Sequence, residues 1–241
     1  MEKYTASVIL IVALIFVGAY LFVNFQGSSN TNVISVNGIS EIKTQPEIVS
    51  VYVSVEALDD SAEVSKNENA DISEKVINQL VATGINKEDI QTQNFNVYEE
   101  FDWLESGRKS KGWKTVNSIV VKTTDFDKTG EIVDIVVDNG GLIQSINFEI
   151  SQARQNELKA QALKEAAEDA QNKAEALATG SGGNLGKLVS LSSQDFGYYP
   201  YPLYARAEGV SSADAAKEAA TNISPQELTL TASVQASYKL R

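Results

Sequence analysis

No charged residue interrupts the chain from Thr5 to Phe25 (TASVILIVALIFVGAYLFVNF), and the chain after it is polar and periodic. About 20 apolar residues let an α-helix cross a bilayer core of ~30 Å. The run is longer than the roughly 7–15 residues of a signal-peptide core, and Asn24–Ser28 offers no small-residue cleavage pattern. Residues 1–25 therefore read as a retained transmembrane anchor. Lys3 lies on the short flank, and the other flank has no Lys or Arg before Lys43. The positive-inside rule puts the N-terminus in the cytoplasm. The expectation is a single pass of the cytoplasmic membrane, held by residues 5–25, with the main domain extracytoplasmic.

Residues 26–32 (QGSSNTN) are a polar linker, and residues 33–241 form the outer domain. Val33–Asn37 is rich in β-branched residues. In Ile48–Leu58, Val49, Val51, Val53 and Val55 alternate with Ser50, Tyr52 and Ser54, the period of a half-buried strand. Gly38 and Pro46 read as punctuation of a hairpin-like unit between these two strands. Asp59-Asp60-Ser61 offers N-caps for a helix running to about Thr83 and stopped by Gly84. Its apolar positions are Ile72, Val76, Ile77, Leu80 and Val81.

Ile90–Glu100 and Thr115–Thr124 read as strands joined by a charged, Gly-containing loop. Asp127–Asp138 is a shorter helix with Ile132, Ile135 and Val136 on one face, and Leu142–Ile150 another strand. Arg154–Thr179 is the strongest helix, with a stripe of Leu158, Ala162, Ala166, Ala170, Ala174 and Leu177. Leu185–Ser193 and Leu228–Leu240 close the series around an insertion at 194–224. The order β-β-α-β-β-α-β-α-β-β lacks regular crossovers. It predicts an α+β fold, a mostly antiparallel sheet with helices packed on one face, after the single transmembrane helix.

Composition narrows the chemistry. With 20 basic and 32 acidic side chains the formal charge is −12. Glu2 and Lys3 cancel, so the outer domain carries all of it. Such a surface repels nucleic acid and anionic lipid. There is no cysteine and no histidine. Disulfides, zinc-thiolate sites, thiol nucleophiles and a Ser-His-Asp triad are thereby excluded within the chain. An apolar share of 43% supports a packed core rather than a disordered tail.

The sharper motifs reduce to plainer ones. Gly180–Gly186 follows a helix and opens a strand, the reverse of a phosphate-cradling loop, and reads as a helix end. Asp125, Asp127, Thr129 and Gly130 mimic the start of a calcium loop, but the position of its bidentate Glu is Val136. Asp59/Asp60, Glu99/Glu100 and Glu168/Asp169 are adjacent pairs whose members point apart, so they do not face each other across a cleft. Asn222-Ile223-Ser224 is a glycosylation sequon followed by Pro225. No catalytic, cofactor or metal residue is assigned. The candidate interaction residues are Phe196, Tyr198, Tyr199, Tyr201 and Tyr204, gathered with Pro200 and Pro202. They read either as a loop covering a sheet edge or as a contact surface for another subunit.

Several short pieces, taken in order, resemble the SIMPL-domain family of YggE-like, Brucella periplasmic immunogenic protein-like extracytoplasmic proteins. They are Ser35-Val36-Asn37-Gly38, Pro46-Glu47 and Thr83-Gly84-Ile85 with Asp89-Ile90-Gln91-Thr92. Ala162–Ala178 with Gly183-Asn184-Leu185-Gly186-Lys187-Leu188 completes the match, from roughly Val33 to Leu240. The resemblance implies secreted or anchored proteins that are not an enzyme class, with a ring-like homo-oligomer among them. Some are linked to oxidative-stress tolerance and envelope physiology. It supplies no catalytic motif to carry over. The expected function is a membrane-anchored, non-enzymatic, self-associating envelope scaffold or stress-protection component. The alternative is a ligand- or protein-binding module at the cell surface using the 194–224 loop, with an enzyme third.

Overall fold

The seven alternating segments become strands and the 3.6-period segments three helices in the computed structural model, which describes residues 32–104, 107–198, 201–203 and 226–241, with an eighth, three-residue strand inside the expected insertion. The expected anchor at 1–25 lies outside the described residues. The order is β1 (Val33–Thr44), β2 (Ile48–Asp59), α1 (Ala62–Ala82), a 3-10 turn (Lys87–Asp89), β3 (Ile90–Leu104), β4 (Gly107–Thr123), α2 (Lys128–Asp138), β5 (Leu142–Glu149), α3 (Gln152–Gly180), β6 (Leu185–Tyr198), β7 (Tyr201–Leu203) and β8 (Leu228–Leu240).

The fold is α+β and every strand pairing is antiparallel. It differs from the expected single sheet. One lobe is a five-stranded sheet, β3-β4-β2-β5-β7, under α1 and α2. The other is a three-stranded sheet, β1-β8-β6, under α3. The hairpin expected between the first two strands does not form. β1 pairs with β8, with Gly38 opposite Val234.

In the first lobe the inward valines of β2 pack on Val76 and Leu80 of α1 and on Ile132, Val133 and Val136 of α2. Each fully buried side chain of this size contributes about 1.5–3 kcal/mol. The N-terminal half of α1 is seated differently. Ser65, Asn69 and Ser73 face the sheet and are buried. Ser65 Oγ donates to Ala57 O at 3.0 Å, and Asn69 Nδ2 donates to Val55 O at 2.7 Å and Thr115 O at 3.2 Å. Asn117 Nδ2 donates to Ser73 Oγ at 3.0 Å. A search for apolar periodicity overlooks this half of the contact face because hydrogen bonds hold it. Val81, expected on the apolar face, is exposed.

In the second lobe Leu158, Ala162, Ala166, Ala170, Ala174 and Ala178 are the buried residues of α3. Leu177, expected in this stripe, is 54% exposed, because the face advances by four residues from Ala174 to Ala178. The small side chains let α3 rest directly on Gly38. A Cβ at that position would meet Ala166 O and lie 2.6 Å from Ala170 N. Ser40 Oγ donates to Ala162 O at 2.7 Å across the same contact.

The outer edge of β1 is occupied by the helix as well. Ile39 N donates to Asp169 Oδ2 at 2.9 Å, and Lys173 Nζ donates to Asn37 O at 3.2 Å. The Lys173 ammonium, and then the Ile39 N–H, hold the Asp169 carboxyl below its ordinary range. A carboxyl lowered in the folded state adds stability above its unfolded pKa and loses it as pH falls through the folded one. Asp169→Asn should therefore be less stable than the parent at pH 7. The gap should shrink as the pH is taken below about 4, the ordinary aspartate value. Urea midpoints at pH 7 and pH 3 check this. An equal gap at both would show that the charge of Asp169 plays no part.

Candidate functional site

β3 and β4 extend well past their expected ends, to Leu104 and back to Gly107, so the expected charged loop is mostly strand. β2 ends at Asp59, opposite Trp113. Beyond it Glu100–Leu104 and Gly107–Gly112 stand as a two-stranded ribbon. Two glycines shape this ribbon. Gly107 (φ 115°) follows the tip, and Gly112 (φ 114°) presses on the β2–α1 turn, where a Cβ would lie 2.6 Å from Asp59 O. Lys111 is bulged out beside Gly112, which adds local twist and re-aims the tip.

Alternation gives the hairpin two unlike faces. On the face continuous with the helix-covered side of the sheet, β3 places Phe95, Val97, Glu99, Phe101 and Trp103, and β4 places Trp113, Ser110 and Arg108. α1 bonds to Asn117 and Thr115, the partners of Phe95 and Val97, and the face continues past them to the tip. Phe95 is 48% exposed, Trp113 37% and Trp103 80%. The Arg108 guanidinium lies 3.2 Å from the centre of the Phe101 ring and 6.0 Å from that of Trp103. Such stacking orders the tip without covering it. The opposite face is charged. Lys111 Nζ lies 3.3 Å from Glu100 and 3.8 Å from Asp102, and Lys114 Nζ lies 2.7 Å from Glu56. The bond to Glu56 pulls the Lys114 ammonium above its ordinary pKa.

The sequence-based candidates fall on other elements of the chain. Phe196 and Tyr198 belong to β6, which runs five residues past its expected end, so the expected insertion at 194–224 begins inside a strand. Tyr198 packs against the second-lobe core, and its hydroxyl accepts a bond from Ile150 N at 3.1 Å. Burial and the nearby Glu149 charge raise its phenol pKa, against the Ile150 N–H that lowers it. Tyr201 lies on β7, opposite Phe148 of β5. Tyr199 and Tyr204 lie outside the described residues. The signal for the hairpin face was present in Phe95–Trp103 (FNVYEEFDW), where Phe95, Phe101 and Trp103 stand an even number of residues apart. Assigning Phe101–Trp103 to a loop hid the shared face.

Lys128 and Asp125, near the end of α1, are used internally. A cleft of about 290 Å³ beside the end of α1 has Lys122, Asp125 and Lys128 on its wall. Lys128 Nζ donates to Thr83 O at 3.1 Å and Gly84 O at 3.4 Å, closing the helix C-terminus. Asp125 Oδ1 accepts from Asp127 N at 3.1 Å, a turn that opens α2. Among the described residues no group of three or more acidic side chains is placed to hold a metal ion, and no helix is long and apolar enough to cross a membrane.

The architecture is that of a two-lobed antiparallel α+β protein with an uncovered aromatic hairpin. The chain belongs to the SIMPL family, described as a protein of unknown function (DUF541), whose model matches residues 34–238. It is similar to the uncharacterized protein YggE of Escherichia coli K12, 24% identical over 197 residues, which are 80% of each chain. It is likewise similar to YggE of Edwardsiella ictaluri, 25% identical over 189 residues, 75% of this chain and 77% of that one. The 26 kDa periplasmic immunogenic protein of Brucella melitensis is 25% identical over 217 residues, 86% of this chain and 84% of that one. None of these three names is that of an enzyme.

Proposed function

We propose that this SIMPL protein is an extracytoplasmic interaction module of the cell envelope, held at the cytoplasmic membrane by residues 5–25 with its N-terminus inside. It works by docking and not by catalysis, as a scaffold or stress-protection component. The uncovered aromatic face of the β3–β4 hairpin carries this reading, since contiguous exposed apolar patches mark contact sites. The Brucella relative's name places that protein in the periplasm, which agrees with an outer location. Self-association of tethered copies is a second reading, favoured by a separate exposed patch on β6, Leu188, Val189 and Leu191. A membrane tether would raise the local concentration of both surfaces.

Site-specific photo-crosslinking in intact cells tests both readings. A photoreactive residue at Val97 should give adducts heavier than the 26.1 kDa chain, and one at Asp134 on α2 should give none. Adducts at twice the chain mass support self-association, and adducts of other masses support a different partner. Absence of any adduct from Val97 sinks the docking role of the hairpin.

A further inference from the structure

Sheet edges expose unpaired N–H and C=O groups, and folded proteins guard them with charges, proline, bulges or covering helices. Three of the four edges here are guarded. α3 bonds to the outer side of β1 through Asp169 and Lys173. β7 is three residues long and contains Pro202. β6 departs from regular register at three places. β3 is the least guarded, bulged at Gln93 and again beside Lys111 but otherwise open. From Ile90 to Tyr98 it carries neither a charge nor a proline, and Asn94–Glu100 pairs with β4 without a break. Among the described residues no strand lies on its outer side.

We propose that β3 accepts an extended segment of another protein as a further antiparallel or parallel strand, and that this segment is amphipathic with basic residues at its ends. The proposal rests on the interaction-module reading and names the partner's chemistry. Backbone pairing supplies affinity in such strand addition, and alternate side chains supply selectivity. One face of the incoming strand would lie beside Phe95 and Val97, and the other beside Asn94, Asn96 and Tyr98. The first set calls for apolar side chains and the second for polar ones. Carboxylates outnumber cations at both ends of the uncharged run, with Lys87, Glu88 and Asp89 before it and Glu99, Glu100 and Asp102 after it. The cations that answer Glu100 and Asp102, Lys111 and Lys114, stand one strand further in, on β4. A strand arriving at the outer side meets the carboxylates first. A second copy of the chain brings the same acidic edge and a formal charge of −12, so long-range repulsion opposes it.

The test uses the purified full-length chain in detergent and fluorescence anisotropy of a labelled peptide with a Val-Thr-Val-Thr-Val centre and two lysines at each end. Three comparisons accompany it: the same peptide with glutamates at the ends, the lysine peptide N-methylated at alternate residues, and the Val97→Lys variant. Leu188→Lys on β6 serves as the control for an unrelated edge. The lysine peptide should bind at least about tenfold more tightly than the glutamate peptide, as expected for complementary charge near a docking strand. N-methylation should abolish binding, Val97→Lys should weaken it about tenfold or more by placing a charge on the edge, and Leu188→Lys should leave it unchanged. Circular dichroism confirms that both variants are folded. Equal binding of the lysine and glutamate peptides, or binding that survives N-methylation, overturns the proposal. So does a dimer mass by light scattering that Val97→Lys reduces to monomer, because the occupant is then a second copy. Failure here, with Val97 adducts still formed in cells, leaves the interaction module standing with a partner of other chemistry.

Discussion

Replacing Gly38 by alanine should destabilise the second lobe by about 3 kcal/mol, the upper end of the range for overfilling a packed interior. For a chain of this size that is a fall in Tm of roughly 6–12 °C. The cause is steric, since Gly38 is not among the glycines with positive φ. The added methyl group would meet Ala166 O and lie 2.8 Å from Ala170 Cβ, so backbone on α3 must move. Moving it strains the bonds from Ser40 to Ala162 and from Ile39 to Asp169, which fix the helix on β1. Ala170→Gly in the Gly38→Ala background should recover only part of the loss, because the Ala166 carbonyl remains in the way. Thermal melts of the single and double variants measure the coupling. A Gly38→Ala melt within 1 °C of the parent would show that α3 does not sit this close.

Asn69→Leu should cost about 3–4 kcal/mol, although it installs an apolar side chain of similar size on a buried helix face. Asn69 donates to Val55 O and Thr115 O, tying α1 to both β2 and β4. Its own Oδ1 accepts from Ser73 Oγ at 3.5 Å, and Ser73 in turn accepts from Asn117. Removing one member of a buried network leaves the others desolvated, at about 1–3 kcal/mol for each group left unpaired. Urea denaturation should show a lower midpoint with an unchanged slope, the signature of lost native stability. Glu68→Gln, on the exposed side of the same helix, should change stability by no more than about 0.5 kcal/mol. If Asn69→Leu proves neutral, hydrophobic packing alone seats the N-terminal half of α1.

These two positions also mark where local pattern stopped being informative. Val49–Val55 announced a strand because side chains alternate across a sheet with period two. Ala162–Ala174 announced a close-packed helix because residues four apart share a face. Gly84 and Gly140 ended α1 and α2, where positive φ of 87° and 86° suits glycine. Each of these signals acts within a few residues. Gly38 gave the wrong sign for the same reason. Glycine inside a strand marks either a turn or a close approach by another element, and the choice depends on Ala166, more than a hundred residues away. Ser65, Asn69 and Ser73 stand outside the apolar periodicity of the helix, and their partners on β2 and β4 are what seat them in the interior.

The same division runs through the candidate site. Sequence alone determined the charge-free run at 5–25, the exclusion of thiol and imidazole chemistry, the helix positions and most strand positions, because composition and short-range periodicity carry those properties. It also held every residue of the hairpin face. Only the tertiary structure decided that the strands divide into two sheets and that Tyr198 spends its hydroxyl on Ile150 N. It also decided that β3 is an edge and that Phe95, Trp103 and Trp113 stay exposed. Strand order, edge status and exposure arise from pairing between segments far apart in the chain, and a one-dimensional pattern does not encode which partner each strand will find.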